Sequence, residues 1–156
     1  PSGLVKLGAF ANRAAFRRRR ASQAKLCASH EDVQGPAGVA LAGIYSALRI
    51  THKPLAEQRI LFIGAGGAGI GTAELFCSAV EAAGGSAAEA RKQLWFFDSK
   101  GLVVASRKDL NHHKQAFAHP HDQQSDLLKA VPALKPHALT GVSLFLLQIL
   151  RRRRAI

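Results

Sequence analysis

The 156 residues contain no methionine, and they contain only two cysteines, one tryptophan and one tyrosine. Cys27 and Cys77 form neither a metal-binding nor a redox motif, and they suggest free thiols in a reducing compartment. Secretion is therefore not expected. Long apolar runs are also missing. The longest is Leu144 to Leu147 with Ile149 and Leu150, far short of the roughly 20 residues that a membrane-spanning helix needs. With no methionine and with Pro1 at the start, a processed chain or a piece of a longer one is expected. Acidic residues are absent from the first thirty positions.

The apolar fraction of 47% is that of an ordinary folded domain and excludes a disordered chain. The net charge of +12 is unevenly placed. Residues 1–31 hold seven Lys/Arg and one Glu, residues 151–154 are four arginines, and residues 32–150 carry eleven Lys/Arg against nine Asp/Glu. The basicity belongs to the ends. Arg17 to Arg20 make a solid block that suits a nucleic-acid arm, an organelle transit peptide or a solvated basic helix. Only Phe10 and Phe16 lie near those arginines, too few aromatics for a single-strand stacking platform, so nucleic acid is the weaker reading.

The chain is organised around Ile60-Leu-Phe-Ile-Gly64-Ala-Gly66-Gly67-Ala-Gly69-Ile-Gly71. Four apolar residues lead into a glycine cluster, and an amphipathic segment follows. Gly64, Gly66 and Gly69 fit G-x-G-x-x-G, the dinucleotide-binding fingerprint. Gly64 would let the chain turn off a strand, Gly66 would let a pyrophosphate approach the backbone, and Gly69 would let the helix pack close to the sheet. Ala65 and Gly67 complete the candidate phosphate loop, and the helix start offers its positive end to the phosphates.

Before the fingerprint, Pro36 suits the first turn of a helix, and Ala37 to Ile50 reads as a mostly buried helix ended by Lys53-Pro54. After it, a helix is expected from about Gly69 to Ala83, stopped by Gly84-Gly85, with Ser86 capping a short helix through Lys92. Gln93 to Asp98 is a second buried strand ending in an acid. Such an acid normally accepts from the ribose hydroxyls, at a usual gap of about 20 residues. Asp98 lies 34 past Gly64, because residues 84–92 lengthen the crossover. Ser99 and Lys100 follow it directly. Leu102 to Ala105 extends the structure after that turn. His112, His113, His119 and His121 lack ligand spacing and read as a surface loop. Ser125 to Val131 reads as a helix and Ala138 to Ser143 as a strand. The order strand, helix, strand, helix, strand predicts an α/β fold: a Rossmann-type parallel sheet with flanking helices, in a single incomplete domain.

Six stretches together resemble the malic enzymes, in their nucleotide-binding domain. They are Asp32-Val-Gln-Gly35, Val39-Ala-Leu-Ala-Gly43, Ile60 to Gly66, Trp95-Phe-Phe-Asp-Ser-Lys-Gly-Leu-Val-Val104, Phe117-Ala-His119, and Lys135-Pro136 with Gly141-Val142. They occur in family order over about residues 10–143. The resemblance implies an oxidoreductase family that oxidises malate with NAD or NADP and decarboxylates it to pyruvate and CO2. It implies a divalent metal, Mn2+ or Mg2+, held by three carboxylates, of which Asp32 is one. The other two positions fall on Gly8 and Ala9, which cannot hold a cation. The family's catalytic tyrosine and lysine belong to a preceding domain, so no catalytic residue is assigned in this chain, and the fragment is expected to be inactive. Lys114 aligns with the lysine that marks NADP-preferring members.

The resemblance divides the chain into three parts. Residues 1–31 are a basic segment left from the metal-site stretch, residues 32–143 are the NAD(P)-binding Rossmann domain, and residues 144–156 are an Arg-rich tail outside the family pattern. Expected partners are a nicotinamide dinucleotide, malate only in an intact enzyme, and a second copy in a homo-oligomer, with no membrane. Cytoplasm, chloroplast or mitochondrion is the expected location. A basic module using residues 13–25 and 151–154 on nucleic acid is the alternative. Another Rossmann dehydrogenase is a further one, although the Tyr-x-x-x-Lys of the short-chain class is missing, since Arg49 stands four residues after Tyr45.

Overall fold

The computed structural model describes residues 4–7 and 27–142, with side chains from Val33 onward. The Gly8-Ala9 positions, the Arg17 to Arg20 block, the Asp32 side chain and the 144–156 tail lie outside what is described.

Strand β1 (Leu4–Leu7) pairs in parallel with β2 (Cys27–His30), with Leu4 opposite Cys27 and Leu7 opposite His30. The basic segment thus contains a strand pair that the sequence reading did not foresee. Four-residue strands beside an arginine block carry too little alternation to register as a period. Helix α1 follows directly (Glu31–Thr51) and begins before Pro36, which lies inside it. The proline lacks only its own N–H, so the helix forgoes the single bond to the carbonyl four residues back.

The main sheet is ordered β5-β4-β3-β6. Strand β3 (Ile60–Ile63) is central and parallel to both β4 (Leu94–Asp98) and β6 (Ala138–Gly141). The expected parallel sheet is therefore present, with one addition. The two-residue β5 (Gly101–Leu102) turns back antiparallel on β4, which makes the sheet mixed. Helix α2 (Gly67–Ala82) follows the glycine turn. The short α3 (Ala87–Lys92) is capped by Ser86, whose hydroxyl accepts from the Glu89 N–H at 3.3 Å. The histidine stretch is not all loop, since α4 (His112–Gln115) forms within it, capped by Asn111. Helix α5 (Leu127–Leu134) is capped by Asp126.

Why the strands read as unbroken apolar runs is clear from their two faces. Ile60, Phe62, Leu94 and Phe96 face a core built with α1 and α2, through Val33, Leu41, Ile70, Ala73, Phe76 and Val80. Leu61 and Phe97 face the other way, onto Leu102, Val104 and α5 through Ala130 and Leu134. A strand covered on both faces needs no polar alternation. Phe62 and Phe96 stack across the β3–β4 pair with ring centroids 4.8 Å apart and planes 16° apart.

Helix α1 departs from its expected burial. Val33, Ala37 and Leu41 form one buried stripe, while Val39 and Ile50 are 76% and 81% exposed and Tyr45 is 44% exposed. Helix periodicity reports which residues share a face, and it is silent on how many faces find a partner.

Helix α2 approaches its neighbours at glycine positions. A Cβ on Gly69 would collide with the Gly64 carbonyl oxygen, and one on Gly71 would collide with Val33 of α1. Gly43, on the open side of α1, has nothing within 4 Å of such an atom. Gly69→Ala is expected to lower stability by about 1–3 kcal/mol through overpacking. Gly43→Ala should raise it by about 0.5–1 kcal/mol, since alanine is the better helix former. Urea denaturation of the two variants beside the parent chain measures both signs.

Candidate functional site

Strands β3, β4 and β6 end at the same edge of the sheet, which is the edge where open parallel sheets bind ligands. Gly64 stands there with φ at 118°, a conformation that only glycine adopts without strain. Its N–H donates to the Phe97 carbonyl at 2.8 Å and so ties the turn to the end of β4. Ala65 is buried. Gly66 is the N-cap of α2 and brings no capping side chain, and Gly67 and Gly69 lie in the first turn. All five predicted phosphate-loop residues thus fall in one turn and helix start.

The second half of the predicted set gathers at the end of β4. Asp98 is the last residue of that strand, paired with Gly101 across the two-residue turn Ser99-Lys100. Its carboxylate takes four donors. Oδ1 accepts from the Lys100 N–H and from Arg107 Nη1, each at 2.9 Å. Oδ2 accepts from Lys114 Nζ at 2.6 Å and from Arg107 Nη2 at 3.2 Å. A carboxylate has about four lone-pair positions, so this one is full. Here the acid anchors two cations at the strand end.

Arg107 is the residue that sequence reasoning missed. Its side chain is only 7% exposed and forks between two acids. Besides Asp98, it reaches Asp109 through Nε at 3.0 Å and Nη2 at 2.9 Å. Lys100 Nζ meets the same Asp109 carboxylate at 2.9 Å. The result is a chain of alternating charge: Lys114, Asp98, Arg107, Asp109, Lys100. The available signal was an arginine just past the β5 turn with an acid two residues on, which is faint among 22 Lys/Arg. An open hollow of about 490 Å³ lies beside this chain, lined by Lys100, Ser106, Arg107, Lys108, Asp109 and Gln123.

Of the histidine stretch, His119 is built into the fold. His119 Nε2 lies 2.8 Å from the Leu94 carbonyl oxygen and its ring packs 4.4 Å from that of Trp95. Burial lowers its pKa, opposed by the bond to Leu94, so the ring is neutral near pH 7. Among the described residues no group of three His, Cys, Asp or Glu could hold a metal ion. With Gly8 and Ala9 at two of the three implied ligand positions, the residues present do not fit a bound divalent cation.

The pKa of Asp98 is lowered. Burial pushes it up, and the bonds from Arg107, Lys114 and the Lys100 N–H together outweigh that burial. A carboxyl depressed in the folded state stabilises the protein above its unfolded pKa of about 3.9, and that contribution is lost as pH falls through the folded value. Asp98→Asn should cost about 1.5–3 kcal/mol at pH 7. The gap between variant and parent should narrow progressively as urea melts are repeated at pH values below about 4.

Comparison with known proteins supplies the context. The family model for malic enzyme, NAD binding domain, matches residues 33–151. The NADP-dependent malic enzyme of Mus musculus is 45% identical over 140 residues, which is 90% of this chain and 24% of that protein. The mitochondrial NADP-dependent malic enzyme of Homo sapiens is 43% identical over 140 residues, 90% of this chain and 23% of its own. The chain thus spans about a quarter of the length of these relatives. The crystal structure of Entamoeba histolytica malic enzyme superposes with a TM-score of 0.72 at 24% identity, over 90% of this chain and 29% of that one. The NAD-dependent malic enzyme of Thermotoga maritima gives 0.71 at 22% identity, over 90% and 36%. At these identities the structures speak for the fold.

Proposed function

The chain belongs to the malic enzyme family, as its NAD-binding domain, and from that premise we propose that it binds NADP in preference to NAD at the carboxyl edge of the sheet. One observation carries the choice of cofactor. The acid at the end of β4, which in an NAD site would meet the ribose hydroxyls, is neutralised by Arg107 and Lys114. A saturated carboxylate flanked by cations favours the 2′-phosphate over the free hydroxyl.

In this reading the start of α2, with Gly66 and Gly67, holds the pyrophosphate through backbone N–H groups and the helix dipole. Lys114 and Lys100 hold the 2′-phosphate, with Ser99 beside them. Asp98 is a positioning residue, since it acts by holding Lys114 and Arg107 in place. The bound nicotinamide supplies the hydride acceptor.

Malate oxidation and decarboxylation belong to the intact protein. The chain covers a quarter of its relatives' length and lacks a carboxylate cluster for a cation among the described residues. We assign it no turnover by itself: the purified 156-residue chain, given malate, Mn2+ and NADP, should produce no NADPH above a no-enzyme control. Apolar residues left bare on α1, such as Val39 and Ile50, would be covered in a longer chain or a homo-oligomer. No described helix is long and apolar enough to cross a membrane, and cytoplasm or an organelle remains the proposed location. Lys100, Arg107 and Lys114 are engaged with Asp98 and Asp109, and this pairing lends no support to the nucleic-acid alternative.

A phosphate–lysine contact in a half-open site supports roughly a tenfold preference. Calorimetric titration should therefore give NADP about tenfold tighter binding than NAD. Lys114→Gln should bring the two close to equal, because Arg107 still holds Asp98 and the fold survives. Equal affinities in the parent chain, or an unaltered ratio in the variant, would refute the assignment.

A further inference from the structure

The charge chain at the end of β4 contains one member that the cofactor reading leaves without a role. Asp109 lies at the rim of the 490 Å³ hollow, and its carboxylate is shared by Arg107 and Lys100. Arg107 is nearly sealed from solvent, and its donors are divided between Asp98, through two bonds, and Asp109, through two more. Lys100 is different. Its side chain is 66% exposed, and it pairs with Asp109 at 2.9 Å. The carboxylate stands where an anion entering the hollow would meet both cations.

We propose that Asp109 is a built-in competitor for the 2′-phosphate, a specificity-determining residue that occupies Lys100 and Arg107 and sets the size of the NADP preference. This rests on the reading of the edge as an NADP site and goes on to name what limits its selectivity. A carboxylate carries one negative charge, whereas a phosphate monoester carries nearly two and has three acceptor oxygens. The incoming group therefore wins the cations, at a cost set by the bridges it opens. The outer bridge, between exposed Lys100 and the half-exposed Asp109, is weak. The displaced carboxylate then remains beside the phosphate and repels it.

The probes are adenosine 2′,5′-bisphosphate and adenosine 5′-monophosphate, which differ only in the 2′-phosphate. They are titrated against the full 156-residue chain and against Asp109→Asn. Asp109 is at the surface, so the amide variant keeps the fold, and circular dichroism of both proteins checks that it does. The ratio of bisphosphate to monophosphate affinity should rise about fivefold in Asp109→Asn, and the rise should shrink as salt screens the charges. In a second variant, Asp109→Glu, which keeps the charge, the ratio should stay within about twofold of the parent. An unaltered or reduced ratio in Asp109→Asn overturns the proposal, because Asp109 would then be idle or would be needed to aim Arg107. If that result accompanies a loss of preference in Lys114→Gln, the NADP site stands and the competitor role alone falls. If the parent chain and Asp109→Asn alike show no 2′-phosphate preference, both fall.

Discussion

The close approach of α2 to the glycine turn is the constraint on which the rest of the molecule depends. Gly69 lies against the Gly64 carbonyl, and Gly71 lies against Val33. The two helices can stack on one face of the sheet at this separation only because Gly71 brings no Cβ to its contact with Val33. The stack closes the core around Phe62, Phe76 and Phe96. It also lines up the start of α2 with the ends of β3, β4 and β6, so packing and ligand geometry come from the same few atoms.

The second organising element is electrostatic, and it follows from burial. Arg107 is almost removed from water, and a guanidinium there is tolerable only when its donors are matched. Asp98 and Asp109 supply the match, and Asp98 in turn has its remaining capacity filled by Lys114 and a backbone N–H. The contrast with the exposed Lys92–Glu89 pair is instructive. At 2.6 Å that bridge is as short as the one to Lys114, yet both partners are more than half exposed and solvent screens it. Burial gives the network at β4 its rigidity.

Much of the scaffold was legible in the residues. The glycine spacing predicted the turn, the cap and the close packing of α2. The apolar runs at Ile60 to Ile63 and Leu94 to Phe97 predicted strands covered on two faces, and Ser86 predicted α3. Three features were not legible. The β1–β2 pair is too short to carry a period. The exposed side of α1 depends on what lies beside it, and no helical wheel records that. The pairing of Arg107 joins positions nine residues apart across a turn, and charged residues have no periodicity that would announce such a partner.

The sequence alone therefore determined the main strands and helices from α1 to β6, the parallel β3, β4 and β6, the glycine turn and the family. These rest on local spacing and on hydrophobic period, which are properties of the chain read one stretch at a time. Only the tertiary structure decided that Asp98 is an anchor for cations, that Arg107 forks between Asp98 and Asp109, and that Asp109 stands across Lys100. The state of a carboxylate depends on which donors reach it in space. Those donors arrive from residues 100, 107 and 114 only once β5 has turned back along β4 and α4 has folded beside its end.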